Sequence, residues 1–320
     1  MTRFLLELRY LSALGVLALI RVLPYPVVLN LCRLLAAVAW LVLPYHRRVA
    51  AIQMRAALGT RNVRLLTLRV FMNQAEILVD AVRYAYLSDE EIRSRVVVEN
   101  REYLDEALAS GKGLMMITGH IGNWEILSHI PRLLGTRFCV MADRRKDPRL
   151  ESIVDGIRSR SGATILPPAG KALMLIRELR KGNTIGIVVD GRGEDRDGIT
   201  CEVFGLPAPT NPAPAFIALK GNALVLPVAA VKIRGTYHIV FSRFVDAASY
   251  ATGEEGVRNL SSFMQGWVES VVKEHPHQWF WLYSRWVKRS DMRRIIRHRM
   301  DFREYVISAG TAMPPMHSHP

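Results

Sequence analysis

The stretch Leu114-Met-Met-Ile-Thr-Gly-His120-Ile-Gly-Asn-Trp-Glu125 is where residue types and spacing could do chemistry. An imidazole takes up and releases protons near neutral pH, and a nearby carboxylate can fix its tautomer and orientation. On one continuous α-helix His120 and Glu125 would lie roughly 140° apart and out of contact. They meet only if His120 sits in a turn and Glu125 in the first turn of the following helix, with Asn123 as N-cap. The flanking pattern fits: an apolar, β-branched run enters Gly119-His120, and Ile126-Leu127 follows. In that geometry Glu125 accepts a hydrogen bond from one ring nitrogen. The other nitrogen is left as a base at the mouth of a sheet. None of the other histidines has an acid five residues on.

Other chemistries lack their residues. Gly191-Arg-Gly193 has no third glycine at dinucleotide-binding spacing, and there is no phosphate-binding Gly-Lys-Ser loop or Gly-x-Ser-x-Gly nucleophile elbow. No His-Glu-x-x-His signature is present, and His275-Pro-His277 alone is a weak metal pair. Cys32, Cys139 and Cys201 are an odd, widely spaced set that implies neither a disulfide framework nor a zinc site and suits a reducing compartment. We therefore expect no cofactor and no metal. Without a placed Ser or Cys nucleophile, His120 would support direct base-assisted attack by a substrate hydroxyl.

The elements that must position His120 follow from periodicity. From Val96 onward strands alternate with helices, and Thr184 to Val189 is a buried strand ending at Asp190. This alternation predicts one α/β domain with a largely parallel sheet, in which sites collect at the carboxyl ends of strands. His120 and Asp190 both follow strands at that edge. Helices are read over 126–134, 150–159, 172–181 and 212–219, and no element is assigned between Phe241 and His275. Arg61 to Leu87 has helical periodicity, and His46 to Leu58 reads as a basic amphipathic helix closed by Gly59. Phe4 to Leu43 is the oiliest part, but Glu7, Arg9, Arg21 and Arg33 interrupt it. It is either one weak membrane span or a helix pair lying in the interface, with a buried hairpin as the plainer reading. Four regions are expected: 1–45, membrane-associating helices; 46–95, helices packing on the core; 96–305, the α/β domain; and 306–320, a frayed tail.

Of 320 residues, 43 are Lys or Arg and 29 Asp or Glu, for a net charge of +14. The isoelectric point is about 10.1 and the mean hydropathy +0.11. Such a chain suits a polyanionic partner. Nucleic acid would call for aromatics interleaved with cations on one element, which only Trp279 to Trp286 approaches, and it would leave the oily N-terminus unexplained. No nucleic-acid partner is expected; a basic, non-enzymatic membrane- or nucleic-acid-binding protein is the alternative from another class. The basic stretch Arg285 to Arg303 could dock anionic headgroups or an acidic carrier protein.

Several blocks, in order, resemble the lipid A biosynthesis branch (lauroyl/myristoyl acyltransferases) of the lysophospholipid acyltransferase superfamily. They are Gly119-His-x-Gly-Asn-Trp-Glu125 with its His-x4-acid spacing, Asp143-Arg-Arg-Lys-Asp-Pro-Arg-Leu150 through Gly162, Val189-Asp-Gly191, Val203-Phe-Gly-Leu-Pro207, and His275-Pro-His-Gln-Trp-Phe-Trp281. The chain departs from that family's pattern at Tyr283-Ser284, near Asn211, and at Asp147-Pro148. The related phosphatidylinositol mannoside acyltransferases share the His-Gly-Asn-Trp-acid shape. The resemblance implies a single glycerol-phosphate-acyltransferase-like α/β domain preceded by membrane-associating helices. It implies acyl transfer from acyl carrier protein, or acyl-CoA, to a hydroxyl of an anionic glycolipid such as a lipid A precursor, at the cytoplasmic face of the inner membrane. A phospholipid or phosphatidylinositol-mannoside-type acceptor is the alternative. His120 would be the general base oriented by Glu125. Gly122 and Asn123 backbone N–H groups or Arg158 would meet the oxyanion, and Arg144, Arg145 and Arg149 would hold phosphates. Asp190 would organise nearby arginine or backbone groups at the substrate. A hydrolase using His120 to activate water is a further alternative.

Overall fold

Two apolar helices open the chain, Arg3–Val22 (α1) and Tyr25–Val42 (α2), broken at Pro24 because proline fixes φ and starts the second helix. The computed structural model describes residues 3–136, 138–141, 147–166, 171–194 and 198–311. Pro44–Leu58 (α3), Arg64–Tyr84 (α4) and Asp89–Arg93 (α5) follow, the last started by a capping box of Ser88 and Glu91. Helix α2 lies antiparallel along α4. Tyr25 donates to Asp80 at 2.8 Å, Arg33 pairs with Glu76 at 2.6 Å, and the Trp40 indole donates to Thr67 at 3.0 Å. Among the described residues α2 is the one helix long and apolar enough to cross a membrane, by length and composition.

The α/β region then runs Val96–Glu99 (β1), Arg101–Ala109 (α6), Leu114–Thr118 (β2), Ile130–Leu134 (α7), Cys139–Met141 (β3), Pro148–Arg158 (α8), Thr164–Leu166 (β4), Lys171–Arg180 (α9) and Thr184–Val188 (β5). It continues through Ile199–Val203 (β6), Leu206–Thr210 (β7), Ala213–Gly221 (α10), Leu224–Ile233 (β8), Thr236–Phe241 (β9), Val245–Asp246 (β10), Gly253–Glu274 (α11), Arg289–His298 (α12) and Phe302–Thr311 (α13). The main sheet has the order β1-β9-β8-β2-β5-β3-β4, with β10 pairing β8. Only the β8–β9 and β8–β10 pairings are antiparallel among these. The expected mixed α/β architecture, largely parallel and flanked by helices, is what forms.

Central strands feed both faces, which is why β2 and β8 read as unbroken apolar runs. Met115 and Ile117 enter one core with Val225, Ala229 and Val231; Leu114 and Met116 enter the other with Leu224, Leu226 and Val228. The first core is closed by α10, α11 and the cluster Trp279, Trp281 and Trp286. The second is closed by Leu104 of α6 and by Ile126, Leu127 and Ile130.

Three readings change. The single helix expected over 126–134 is a 3₁₀ turn, Trp124–His129, followed by α7, whose first turn takes Pro131 without losing a helical bond. The 22-residue α11 falls where no element was assigned; its buried stripe mixes Val257, Leu260, Met264 and Val268 with Ser261 and Gln265, so its apolar period is diluted. Residues 306–311, expected as the start of a frayed tail, belong to α13, which buries Phe302 and Val306; the remainder of that tail, 312–320, lies outside the described residues.

Candidate active site

His120 and Asp190 meet because of strand register. Strands β2 and β5 are adjacent and parallel with Thr118 opposite Val188, so residues two positions past each partner also come level. The His120 Nδ1 lies 2.8 Å from Asp190 Oδ1, and the His120 backbone N–H donates to Asp190 Oδ2 at 2.8 Å. The Trp279 indole N–H donates to the same Oδ2 at 2.6 Å. With Nδ1–H facing a carboxylate, the ring's free lone pair is on Nε2. The Asp190 side chain is 3% exposed and that of His120 40%. The acid is therefore buried behind the imidazole, where it organises a backbone N–H, the imidazole and the Trp279 indole rather than an arginine.

The electrostatics follow from that packing. Burial pulls the imidazole's proton affinity down, but the Asp190 charge and hydrogen bond, helped by the Glu125 charge, outweigh it and leave His120 above the ordinary histidine value. Burial pushes the Asp190 carboxyl up, yet the facing imidazole and the donors from His120 and Trp279 hold it below the usual carboxylate range. Deeper still lies Arg285, 2% exposed, which donates to the Pro209 carbonyl, to Thr210 Oγ1 at 2.8 Å and to Gln265 Oε1 at 3.1 Å. Burial lowers its pKa to about 10 against the pull of Asp190, so the guanidinium stays charged at neutral pH.

The loop carrying His120 is clamped by the segment after α11. Phe280 N–H donates to the His120 carbonyl at 3.0 Å, and Gly122 N–H to the Gln278 carbonyl at 3.1 Å. Asn123 N–H donates to the Ala230 carbonyl at 2.8 Å. Gly122 is at φ +59, and a Cβ there would sit 1.9 Å from the Ala230 carbonyl oxygen, so only glycine permits the approach. Two expectations fall here. The Gly122 and Asn123 N–H groups, assigned to an oxyanion, are already committed to carbonyls. Asn123 occupies the N-cap position but its side chain makes no capping bond; it is fully buried, with Nδ2 3.5 Å from the Tyr237 hydroxyl.

Glu125 also departs from its expected partner. Its carboxylate takes Arg158 at 3.2 Å, and the hydrogen bond expected from it to His120 is made by Asp190 instead. The 3₁₀ turn places Glu125 on the wall of a cavity that it shares with His120 and Arg158, within reach of the imidazole's field but not of its nitrogen. This cavity, about 600 Å³, is lined on its polar side also by Thr118 and Ser128, and elsewhere by Met116, Leu127, Phe138, Val140, Ile217 and Val228. A smaller one of about 310 Å³, lined by Asp190, Arg192, Trp279, Tyr283 and Arg285, also reaches His120. The imidazole thus stands between an amphipathic chamber and a second, more cationic opening. Such an arrangement can deprotonate a group brought against Nε2 while an apolar chain occupies the larger chamber.

Of the arginines expected at phosphates, Arg149 is elsewhere: it pairs with Glu7 of α1 at 2.7 Å and lies over the Tyr10 ring. Arg144 and Arg145 lie outside the described residues. Sequence reasoning gave no role to Trp279, Gln278 or Gln265, and it placed Arg285 in a basic stretch docking headgroups or a carrier protein, whereas Arg285 is buried on Thr210 and Gln265. The signal for the first two was the Pro276-His-Gln-Trp279 block itself; Arg285 was hidden in a run of arginines that reads as surface. Among the described residues no group of His, Cys, Asp and Glu could hold a metal ion.

Comparison with known proteins adds to this geometry. The family described as bacterial lipid A biosynthesis acyltransferase matches residues 2–288. Phosphatidylinositol mannoside acyltransferases from two strains of Mycobacterium tuberculosis are 25% identical over 202 residues, covering 60% of this chain. The match spans 60% of the length of those relatives as well. A crystal structure of the 1-acyl-sn-glycerophosphate acyltransferase PlsC from Thermotoga maritima covers 78% of this chain and 96% of its own at 19% identity, with a TM-score of 0.38, a likeness too loose to bear on function.

Proposed function

Because the chain belongs to the bacterial lipid A biosynthesis acyltransferase family, we propose that it moves a fatty acyl group from a thioester to a hydroxyl of a membrane glycolipid, with His120 as the general base. The observation that carries the reading is the imidazole itself: Nδ1 held by a buried carboxylate, a raised proton affinity, and a ring on the wall of an amphipathic cavity. The acceptor hydroxyl gives its proton to Nε2 as its oxygen attacks the thioester carbonyl. The new C–O bond forms, the C–S bond breaks, and His120 returns the proton to the departing thiolate. General-base help of this kind contributes about 10²–10⁴ in rate.

Asp190 is a positioning residue in this scheme, fixing the tautomer and stabilising the imidazolium that forms. Arg158, held by Glu125 on the wall of the cavity that His120 also lines, meets the oxyanion in place of the committed backbone N–H groups. The apolar part of the larger cavity takes the acyl chain. Acyl carrier protein is the donor we favour, with acyl-CoA as the alternative. Lipid A precursors and phosphatidylinositol-mannoside-type lipids are the two acceptor classes, and the reaction runs at the cytoplasmic face of the inner membrane. Within this scheme residues 96–311 form the acyltransferase domain, α13 included, and 1–95 its helical platform.

The test offers acyl carrier protein and coenzyme A thioesters with a panel of lipid acceptors to membrane fractions, reading products by mass spectrometry. The expected result is one acyl lipid, formed at least about 100-fold more slowly by His120→Ala. Undiminished product in that variant would overturn the base assignment. Free fatty acid formed without any acceptor would make the protein a hydrolase.

A further inference from the structure

Another cavity, far in sequence from His120, is lined mostly by arginine. Arg48 of α3 and Arg293, Arg297 and Arg299 of α12 and its C-cap line a space of about 510 Å³ with Tyr45 and Ile296. The Arg293 guanidinium lies 5.9 Å from the Tyr45 ring centroid and Arg289, outside the lining, 5.8 Å, so the aromatic ring helps hold one of the cavity's cations and a neighbour. Among the described residues no carboxylate lines the cavity. Asp291, the acid on α12, is taken by the Tyr305 hydroxyl. Arg48 also lines an adjoining cavity of about 450 Å³ together with Arg47, Arg55 and Arg64. Clustered, exposed cations without acids offer an anion several charge-assisted donors at once.

The neighbourhood says which anion. The cluster borders the C-terminal end of α2, and α2 shows two opposite stripes. Tyr25, Arg33 and Trp40 bind α4, whereas Val27, Leu31, Leu34, Val38 and Leu41 face outward, each at least 40% exposed. The outward positions recur at helical spacing, so they form one aliphatic strip roughly 21 Å long. Because α2 is fastened along its whole length to the folded core, that strip can enter a leaflet lying flat but cannot cross the bilayer without leaving α4. An aliphatic strip with arginines at its end is the charge pattern of a helix seated among acyl chains with its cations at headgroup level.

We propose that the arginine-lined cavity between α3 and α12 docks the phosphate of an anionic phospholipid headgroup, seating α2 flat in the same leaflet. This rests on neither the proposed reaction nor its donor. The test is flotation of the full chain with vesicles of phosphatidylcholine alone and with a third of it replaced by phosphatidylglycerol. One juxtamembrane arginine contributes roughly a fivefold change in partitioning. The variant carrying R48Q, R293Q and R297Q should lose about 100-fold on the anionic vesicles and little on phosphatidylcholine. A control triple at exposed arginines elsewhere, R101Q, R234Q and R243Q, should stay within a few-fold of the wild type on both. Equal losses in the two triples would reduce the effect to net charge and overturn the site. So would a cavity variant that keeps its anionic preference, or one that keeps vesicle binding but loses capture of the acidic acyl carrier protein.

Discussion

Replacing Asp190 by Asn keeps the shape behind His120 and removes one charge. Asp190 accepts His120 Nδ1–H at 2.8 Å, the His120 backbone N–H at 2.8 Å and the Trp279 indole at 2.6 Å. An amide has one acceptor oxygen for these three donors, and no charge for the imidazolium. The largest influence on His120 is burial, which lowers its pKa; only the Asp190 charge and bond, with some help from Glu125, reverse the sign. In Asp190→Asn burial is left nearly unopposed, so the pKa of His120 falls. The acid limb of the pH–rate profile, set by protonation of the base, moves to lower pH while the plateau drops by about 10²–10⁴. Stability carries the same signature. A raised His120 pKa stabilises the wild-type fold fully below the unfolded value, about 6.5, and that contribution is lost as pH rises through the folded value. The variant should lack this loss, on top of a pH-independent cost of about 3–5 kcal/mol for orphaning the donors and the nearby Arg285 charge. Acyl transfer across pH, with urea unfolding at matched pH, measures both. A limb that stays in place or moves to higher pH, in a variant that remains folded, would refute the reasoning.

Glu125→Gln and Arg158→Gln should each slow transfer without moving the acid limb as far as Asp190→Asn, and the double variant should be scarcely slower than the worse single one, because the two groups act as one pair; kcat and KM for all three variants decide it. Gly186 of β5 faces the cavity, and an added Cβ would meet the Phe138 ring at 2.3 Å, so Gly186→Ala drives that ring into the chamber. The preferred thioester should become shorter, read by competition between acyl donors of different length, with Phe138→Leu restoring longer chains. His129 is 3% exposed, and burial together with Arg132 lowers its pKa to about 4. Its contribution to stability is complete above the unfolded value and lost as pH falls toward about 4, a change of about 3 kcal/mol that should be absent from His129→Phe in acid-unfolding curves.

Much of the frame was legible because single elements announce themselves. The fully buried β2, the glycine-ended α3 and the periodic α4 are each specified within one window of sequence. What was not legible depends on pairs of windows. Nothing local says that β5 lies beside β2 while β3 and β4, which precede it in the chain, lie beyond it; yet that order brings His120 and Asp190 together. Arg285 illustrates the opposite error. It sits among Lys288, Arg289 and Arg293, so composition reads it as surface, but Thr210 and Gln265 from two other elements make its burial tolerable.

The choice between Glu125 and Asp190 as partner of His120 shows why spacing alone misdirects. A motif of fixed length limits which groups can be near, not how strongly they couple. Glu125 is close in sequence, but its side chain is 28% exposed and paired with Arg158, so solvent and a cation both blunt its field at the imidazole. Asp190 comes from 70 residues away and is nearly dry, and its Oδ1 takes the imidazole while its Oδ2 is taken by donors that cannot leave without breaking the loop clamp. A charge in that position acts at low local dielectric and in one geometry, the two conditions for holding a tautomer and raising a base's affinity. In the proposed reaction the short motif and the distant acid then do different work: Glu125 holds Arg158 at the cavity wall, where negative charge would develop, and Asp190 holds the imidazole that would act as base.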